Sequence, residues 1–336
     1  MINKVDGFDL ASSGELNRIL SAGIKASITS IAGPGKTYAD LKSAILNDVV
    51  INVESEMEVE RALSLKHETG VTPRLAVRVN PDFEIKGSGM RMGGGAKPFG
   101  VDVERVPALV RRILDFGGGA EWEGFHIFAG SQALGAEALI EAQRATLDLA
   151  EALADEIGAD LPKLNLGGGF GIPYVYGDQP LDIAPIGAAL RERIEARGPR
   201  LRDTKFAIEL GRWLVGECGV YLTRIVDRKI SKSRTFLITD GGMQHQLAAS
   251  GNFGQVIRRN YPVAIANAFG RVPEEDVTIV GCLCTPLDIL GDDVMMPPAD
   301  VGDLVAVFLA GAYGLTASPQ AFLSQMPARE MVVGGD

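Results

Sequence analysis

From residue 7 to residue 212 the chain alternates short apolar or β-branched runs with longer stretches whose apolar residues recur every three or four positions. Runs of the first kind read as strands and stretches of the second kind as helices. The strand runs are Gly7–Ala11, Ser27–Ala32, Val49–Val53, Leu75–Asn80, Gly124–Ala129, Lys163–Leu166 and Phe206–Leu210. Strand followed by helix, repeated, is the signature of β/α units with parallel strands. The helix starts and stops agree. Ser55 stands three residues before Glu58, a capping box ahead of Val59, Ala62 and Leu63, and the helical pattern of Glu137–Ile157 runs into Gly158, a natural stop.

After Arg212 the rhythm changes. Val220–Val226, Thr235–Thr239, Val277–Cys282 and Leu304–Leu309 are strand-like, with few long helical patterns between them. The expectation is a β/α domain at 1–216 followed by a mostly β domain at 217–336. A parallel barrel closes with eight strands, so seven strand signals leave a deficit at the front. The predicted fold is a (β/α)8 TIM-like barrel lacking its first β/α unit, an N-terminally truncated barrel, with a β-rich C-terminal domain. The alternative is an eighth strand hidden in the long Pro81–Phe99 loop.

Composition narrows the function classes. At 336 residues and 46% hydrophobic content, one large domain plus a smaller one is the natural division. The 33 basic and 43 acidic residues give a net charge of -10 with no basic stripe interleaved with aromatics, which argues against nucleic acid as a partner. The most apolar stretch, Leu304–Ala317, is interrupted by Gly311 and Gly314 and falls short of the roughly 20 residues of a membrane span. The opening Met-Ile-Asn-Lys-Val-Asp-Gly-Phe-Asp has no basic head and apolar run, so it is not a signal peptide and reads as the middle of a domain. Cys218, Cys282 and Cys284 are too few for a disulfide framework and fit a reducing compartment, so a cytoplasmic location is expected. His126 and His245 lie at no ligand spacing with another His or Cys, and no metal is expected.

Two motifs carry chemistry. Asn165-Leu-Gly-Gly-Gly-Phe-Gly-Ile-Pro173 follows a strand, and Gly167, Gly168 and Gly169 would let backbone N–H groups approach an anion such as phosphate. A tight turn without a ligand would use glycines too. Barrel active sites lie at strand C-termini, which favours the ligand. Ile208-Glu209-Leu-Gly-Arg212 ends the last barrel strand and sets a carboxylate and a guanidinium on that same face. Glu209 paired with Arg212 at the surface is the other reading of that spacing.

Phe8-Asp9-Leu-Ala-Ser-Ser-Gly-Glu15, Arg78-Val-Asn-Pro81, His126-Ile-Phe-Ala-Gly-Ser-Gln132, Gly167-Gly-Gly-Phe170, Glu209-Leu-Gly-Arg212, Asp240-Gly-Gly-Met243, Cys284-Thr-Pro-Leu-Asp288 and Gly311-Ala-Tyr-Gly314 occur in that order. In this order they resemble the ornithine and diaminopimelate decarboxylases, fold-type III enzymes dependent on pyridoxal 5'-phosphate and similar in fold to alanine racemase. The resemblance runs nearly end to end. Within the family the chain looks most like the exosortase-associated pyridoxal-dependent decarboxylases, for which Gly-Ser-Gly-Met-Arg-Met-Gly-Gly-Gly at 87–95 is suggestive.

The resemblance implies a homodimer whose active sites are shared across the interface. It implies that Ser131, Gly167, Gly168, Gly169, Gly211, Arg212 and Tyr313 hold the cofactor phosphate. Glu209 would pair with the pyridine nitrogen and keep it protonated, so that the ring accepts the electrons released with CO2. Cys284 would be a proton donor supplied by the partner subunit. Taken without its motif, Cys284 reads as a small buried apolar residue.

Three departures from the family pattern bear on function. The family's Schiff-base lysine lies on the first barrel strand, before the Phe-Asp-x-Ala-Ser segment, and only seven residues precede Phe8 here. Lys4 and Lys36 do not match its motif, and the chain as it stands is expected to be inactive or nearly so. Phe128 occupies the ring-stacking position where His is common, which keeps a flat cover and loses an imidazole. Thr285 follows Cys284 where ornithine enzymes have Asp and diaminopimelate enzymes have Glu. Loss of one partner from a buried charge pair costs about 2–5 kcal/mol. Asp240 and Asp288 are the candidates to compensate in substrate binding, and free ornithine and diaminopimelate are expected to be poor substrates.

The leading expectation is decarboxylation of an amino acid that is modified or carrier-linked. A catalytically silent homologue acting through protein binding, or a racemase on the same barrel, are the alternatives. Glu209 and Cys284 argue against the racemase.

Overall fold

The computed structural model describes residues 4–334 except 86, 88, 92, 116–118, 254 and 256. Residues 1–3 of the opening segment and residues 88 and 92 of the 87–95 stretch lie outside the described residues. The chain divides into two compact units, Met1–Gly169 with Asp182–Glu209, and Phe170–Leu181 with Leu210–Asp336.

The first unit is built on β1 (Phe8–Leu10), β2 (Thr29–Ile31), β3 (Val50–Val53), β4 (Arg74–Asn80), β5 (Met90–Arg91), β6 (Val101–Asp102), β7 (Glu121–Ile127), β8 (Gly130–Ser131), β9 (Lys163–Asn165) and β10 (Lys205–Ala207). Between them run α1 (Ser13–Ser21), α2 (Tyr38–Leu46), α3 (Glu56–Thr69), α4 (Val106–Leu114), α5 (Ala136–Ile157) and α6 (Ala184–Glu195). The seven expected strands pair in parallel in the order β1-β2-β3-β4-β7-β9-β10, with the short β6 beside β4. Among the described residues the main path of this barrel-type sheet has seven strands, with edges at β1 and β10 and the two-residue β6 off the path. Among the described residues the Pro81–Phe99 loop adds no strand to it: its β5 pairs antiparallel with β8 in a separate ribbon.

Alternation along the strands assigns their two faces. Leu10, Ile31, Val53, Val77, Val79, Phe125, Ile127 and Leu164 join one apolar cluster with the inward residues of the helices, among them Leu41, Leu63, Val110 and Leu147. Each such side chain contributes roughly 1.5–3 kcal/mol on burial. The intervening residues Asp9, Ser30, Asn52, Arg78, His126 and Asn165 point to the opposite face. Helix boundaries follow local chemistry. The Ser55 hydroxyl accepts from Glu58 N at 3.2 Å, but Glu58 does not complete the box: its carboxylate accepts from Glu54 N at 2.7 Å instead. α5 stops at Gly158, which takes the left-handed conformation at φ 77°.

The second unit holds α7 (Gly211–Val215) and a six-stranded sheet of β11 (Tyr221–Ser231), β12 (Arg234–Thr239), β13 (Val263–Ile265), β14 (Glu275–Val280), β15 (Ile289–Met296) and β16 (Leu304–Val307). The order is β13-β16-β11-β12-β14-β15, antiparallel except for β12 with β14. β13 and β15 are additions to the sequence reading. β13 has three residues, too few to show a period, and β15 breaks its alternation at an irregular register near Asp293, whose φ is 48°. Ile225, Leu237, Val277, Ile279, Val305 and Val307 fill this unit's own core. Among the described residues no helix is long and apolar enough to cross a membrane.

Candidate active site

Parallel pairing sets Arg78, His126 and Asn165 abreast, since Arg78 is in register with His126 and His126 with Asn165. All three are buried. Two residues beyond β10, Glu209 completes the row: Asn165 Nδ2 donates to Glu209 Oε1 at 2.8 Å, and His126 Nε2 lies 3.0 Å from the same oxygen. The imidazole is not aligned for a hydrogen bond, so its effect on Glu209 is one of proximity. Burial works to raise the Glu209 carboxyl, but His126, the Asn165 amide and the Arg78 guanidinium together hold it below the ordinary carboxylate range. The result is an anion kept ionised at the C-terminal ends of the strands.

Asp9 lies across the same face. Its Oδ1 accepts from Ser30 Oγ at 2.5 Å and from Asn52 Nδ2 at 3.2 Å. The side chain reaches solvent but is ringed by protein, and that crowding, with the charge of Glu209, pushes its carboxyl up to about 6. Arg78 donates to Glu54 Oε1 at 2.9 Å and stands over the Phe99 ring at 5.0 Å.

The glycine loop is packed backbone against backbone. A Cβ on Gly167 would fall 2.6 Å from Ile127 O and 2.8 Å from the Phe128 ring, one on Gly168 2.3 Å from Glu209 O, and one on Gly169 2.7 Å from Gly130 O. Gly167 N donates to Asn165 Oδ1 at 2.9 Å, Glu209 N to Gly167 O at 2.9 Å, and Ala133 N to Gly169 O at 2.8 Å. Phe128, Ser131, Gly167, Gly168, Gly169 and Glu209 are thereby brought together in the first unit.

The second unit gathers the other motifs. Arg212 on α7 lies under the Tyr313 ring at 4.8 Å, and the turn carrying Tyr313 is seated by Gly311, whose N donates to Gly216 O at 3.0 Å. Gly211 is exposed, with open space where a Cβ would stand. Asp288 is buried, and its two oxygens accept from Met243 N at 2.6 Å and Leu283 N at 2.9 Å. It ties the Asp240–Met243 turn to the Cys284 loop, so its carboxylate is engaged in holding that loop. Asp240 Oδ1 accepts from Thr223 Oγ1 and Arg224 N, each at 2.8 Å. Cys284 is exposed, Thr285 is half-buried, and Cys218, Cys282 and Cys284 are all free thiols.

Comparison with known proteins is decisive for the family. The profile described as "Pyridoxal-dependent decarboxylase, pyridoxal binding domain" matches residues 2–216. The chain belongs to the pyridoxal-dependent decarboxylases. Among curated relatives, the L-glutamyl-(BtrI acyl-carrier protein) decarboxylase of Niallia circulans is 39% identical over 324 residues, covering 94% of this chain and 75% of that protein. The diaminopimelate decarboxylase of Archaeoglobus fulgidus is 30% identical over 336 residues, covering 98% and 77%. The solved structure of Helicobacter pylori diaminopimelate decarboxylase complexed with L-lysine superposes with a TM-score of 0.81 at 26% identity, covering 94% of this chain and 76% of that one.

These decarboxylases are lyases that depend on pyridoxal phosphate. The residues present fit that cofactor. In the first unit, an ionised, largely enclosed carboxylate at Glu209 suits a protonated ring nitrogen; in the second, Arg212 beside the Tyr313 ring is a cation of the kind a phosphate requires. Asn165 and Arg78 open two of the sequence motifs but were given no role there, and Ser30 and Asn52 were not named, although a polar residue at alternate positions of otherwise apolar strands marks each of them. Lys36 is not open to a ligand: its Nζ donates to Gly33 O at 2.6 Å and lies 3.2 Å from Glu58 Oε2 with the side chain 1% exposed.

Proposed function

We propose that this decarboxylase is built to remove the α-carboxylate of an amino acid whose side-chain end is attached to a carrier, a reaction for which the family uses a Schiff-base lysine that neither Lys4 nor Lys36 matches. The observation that carries the chemistry is the Glu209 carboxylate, held ionised by His126, Asn165 and Arg78 against the effect of burial. Pyridoxal phosphate, when bound, supplies a ring that accepts the electron pair left as CO2 departs. Glu209 holds the proton on the ring nitrogen, which makes the ring a better acceptor. Phe128 covers one face of the ring and excludes water. Ser131, Gly167, Gly168, Gly169, Gly211, Arg212 and Tyr313 bind the phosphate. Cys284 of the partner subunit delivers a proton to the α-carbon across a homodimer interface.

The substrate reading rests on Thr285 and on the carrier-linked substrate named for the Niallia circulans relative. A neutral hydroxyl gives a distal ammonium no counter-charge, whereas a substrate tethered through its distal end has no such charge to neutralise. Asp240 and Asp288 shape this end of the site, Asp288 through the loop it holds.

The test is CO2 release by the native gene product, supplied with pyridoxal phosphate, from an amino acyl carrier protein, from the free amino acid, from ornithine and from diaminopimelate. Turnover of the carrier-linked substrate is expected to exceed the others by at least about 30-fold, the lower end of a lost charge pair. Equal turnover of ornithine or diaminopimelate overturns the substrate reading, and no CO2 from any of the four overturns the activity.

A further inference from the structure

Arg212 stands between two tyrosine rings that are built very differently. Its guanidinium carbon is 5.3 Å from the centroid of Tyr174 and 4.8 Å from that of Tyr313, both inside the range of about 6 Å over which a cation is drawn to an aromatic face. Tyr313 is 46% exposed, is itself in the left-handed region at φ 52°, and has the tilted ring of Phe253 beside it at 6.0 Å. Tyr174 is 8% exposed within the apolar core of the second unit. Behind it lies Tyr261, 6% exposed and stacked at 4.9 Å with 29° between the planes. The Tyr313 ring is open to solvent over much of its surface, whereas Tyr174 cannot turn without displacing Tyr261 and the core around it.

We infer that Tyr174, backed by Tyr261, is a positioning residue that fixes the Arg212 guanidinium in the free protein for the phosphate of the cofactor. The inference rests on the reading of Arg212 as a phosphate ligand. Arg212 is the second residue of a five-residue helix, and its long side chain has many rotamers to lose when an anion binds. A ring face that already holds the guanidinium removes that loss from the binding step. The clamp is also electrostatically safe for an anion. Burial pushes the Tyr174 hydroxyl above the ordinary phenol range, so no phenolate forms beside the phosphate, and the neutral ring leaves the full charge of Arg212 available. Tyr174 acts through Arg212 and does not itself touch the phosphate.

The experiment compares pyridoxine phosphate with pyridoxine by titration calorimetry. Neither carries the aldehyde that reacts with surface amines, and the ratio of the two affinities isolates the phosphate contribution. Tyr174→Met, which keeps an apolar side chain that can fill much of the space and removes the ring face, is expected to lower that ratio about tenfold while leaving pyridoxine within about twofold. Tyr174→Phe, which keeps the face and loses the hydroxyl, is expected to stay within about threefold of the unaltered chain. An unchanged ratio in Tyr174→Met, with a collapsed ratio in Arg212→Gln, overturns the positioning role and leaves the phosphate reading standing. An unchanged ratio in Arg212→Gln, or no saturable binding of pyridoxine phosphate by the unaltered chain, overturns the phosphate reading and the inference with it. Should Tyr174→Met fail to fold, side-chain ¹⁵N relaxation of Arg212 Nε in the unaltered chain decides: an ordered group is expected, and a freely reorienting one overturns the proposal.

Discussion

Lys36 Nζ lies 3.2 Å from Glu58 Oε2, and neither side chain is more than 5% exposed. The same ammonium is 3.9 Å from Glu54 Oε1, and Glu54 also receives Arg78, Gly33 N and Gly100 N. Two cations and two carboxylates thus interlock beneath the C-terminal ends of β2, β3 and β4. Burial pushes the Glu58 carboxyl up, while Glu54, against its own burial, is held down by Arg78 and Lys36. Such a network gives little net stability against an apolar replacement of the whole, but each member is costly to remove alone.

Lys36→Met is therefore expected to destabilise the first unit by about 3–5 kcal/mol in urea unfolding, because it leaves the buried Glu58 carboxylate without its cation and takes one of two cations from Glu54. Lys36→Met combined with Glu58→Leu is expected to recover a large part of that loss. A single-variant cost below about 1 kcal/mol would show that the carboxylates protonate freely, contrary to the geometry.

Asp9 gives a pH dependence whose sign follows from its raised value of about 6. Its carboxyl binds protons more tightly folded than unfolded, so its stabilising contribution is fully present below about pH 4 and is lost as pH rises through about 6. Asp9→Asn is expected to match the unaltered chain near pH 4 and to be more stable at pH 8. The shift alone corresponds to roughly 3 kcal/mol, and solvent access to the side chain reduces this to about 1 kcal/mol. Urea titrations at the two pH values read it directly, and a variant less stable at pH 8 than the unaltered chain contradicts it.

Two glycines of the phosphate motifs should respond in opposite ways. Gly168→Ala places a Cβ 2.3 Å from Glu209 O, backbone that cannot yield without moving β10 from β9. A loss of about 2 kcal/mol or more is expected. Gly211→Ala meets open space and should stay within about 0.5 kcal/mol of the unaltered chain in thermal unfolding. Any effect of Gly211→Ala is expected in phosphate affinity alone.

Glu209→Gln preserves an acceptor for Asn165 Nδ2 and removes the charge. With ¹⁵N-labelled pyridoxine phosphate, the ring nitrogen is expected to carry a proton near neutral pH when bound to the unaltered chain and to lose it when bound to Glu209→Gln. An identical ¹⁵N shift in both proteins would mean that Glu209 does not face the ring nitrogen.

Much of the fold was legible in the chain because its signals are local. Five of the seven barrel strands fall within two residues of their apolar runs, whereas β7 starts at Glu121 rather than Gly124 and β10 ends at Ala207 rather than Leu210. The second unit was less legible. β13 is too short to show a period, and β15 is broken at Asp293, so their identity as strands depends on the neighbours that pair with them.

The site divides along the same line. The order of the motifs, with the glycine run after one strand and Glu209 after the next, is written in the sequence, since strand alternation fixes which residues share a face. The protonation of Glu209 is not, because it depends on Asn165, His126 and Arg78, which lie 44, 83 and 131 positions away and meet it only through parallel register. The same holds for Lys36, which reads as an available amine until burial with Glu58 and Glu54 engages it. Tyr174 reads as one more apolar residue after a glycine run until packing stacks it on Tyr261 and under Arg212. Local pattern determined which segments become strands and helices and which faces they present. Charge state and side-chain orientation were decided by the tertiary structure, because both depend on what water is excluded and which distant groups take its place.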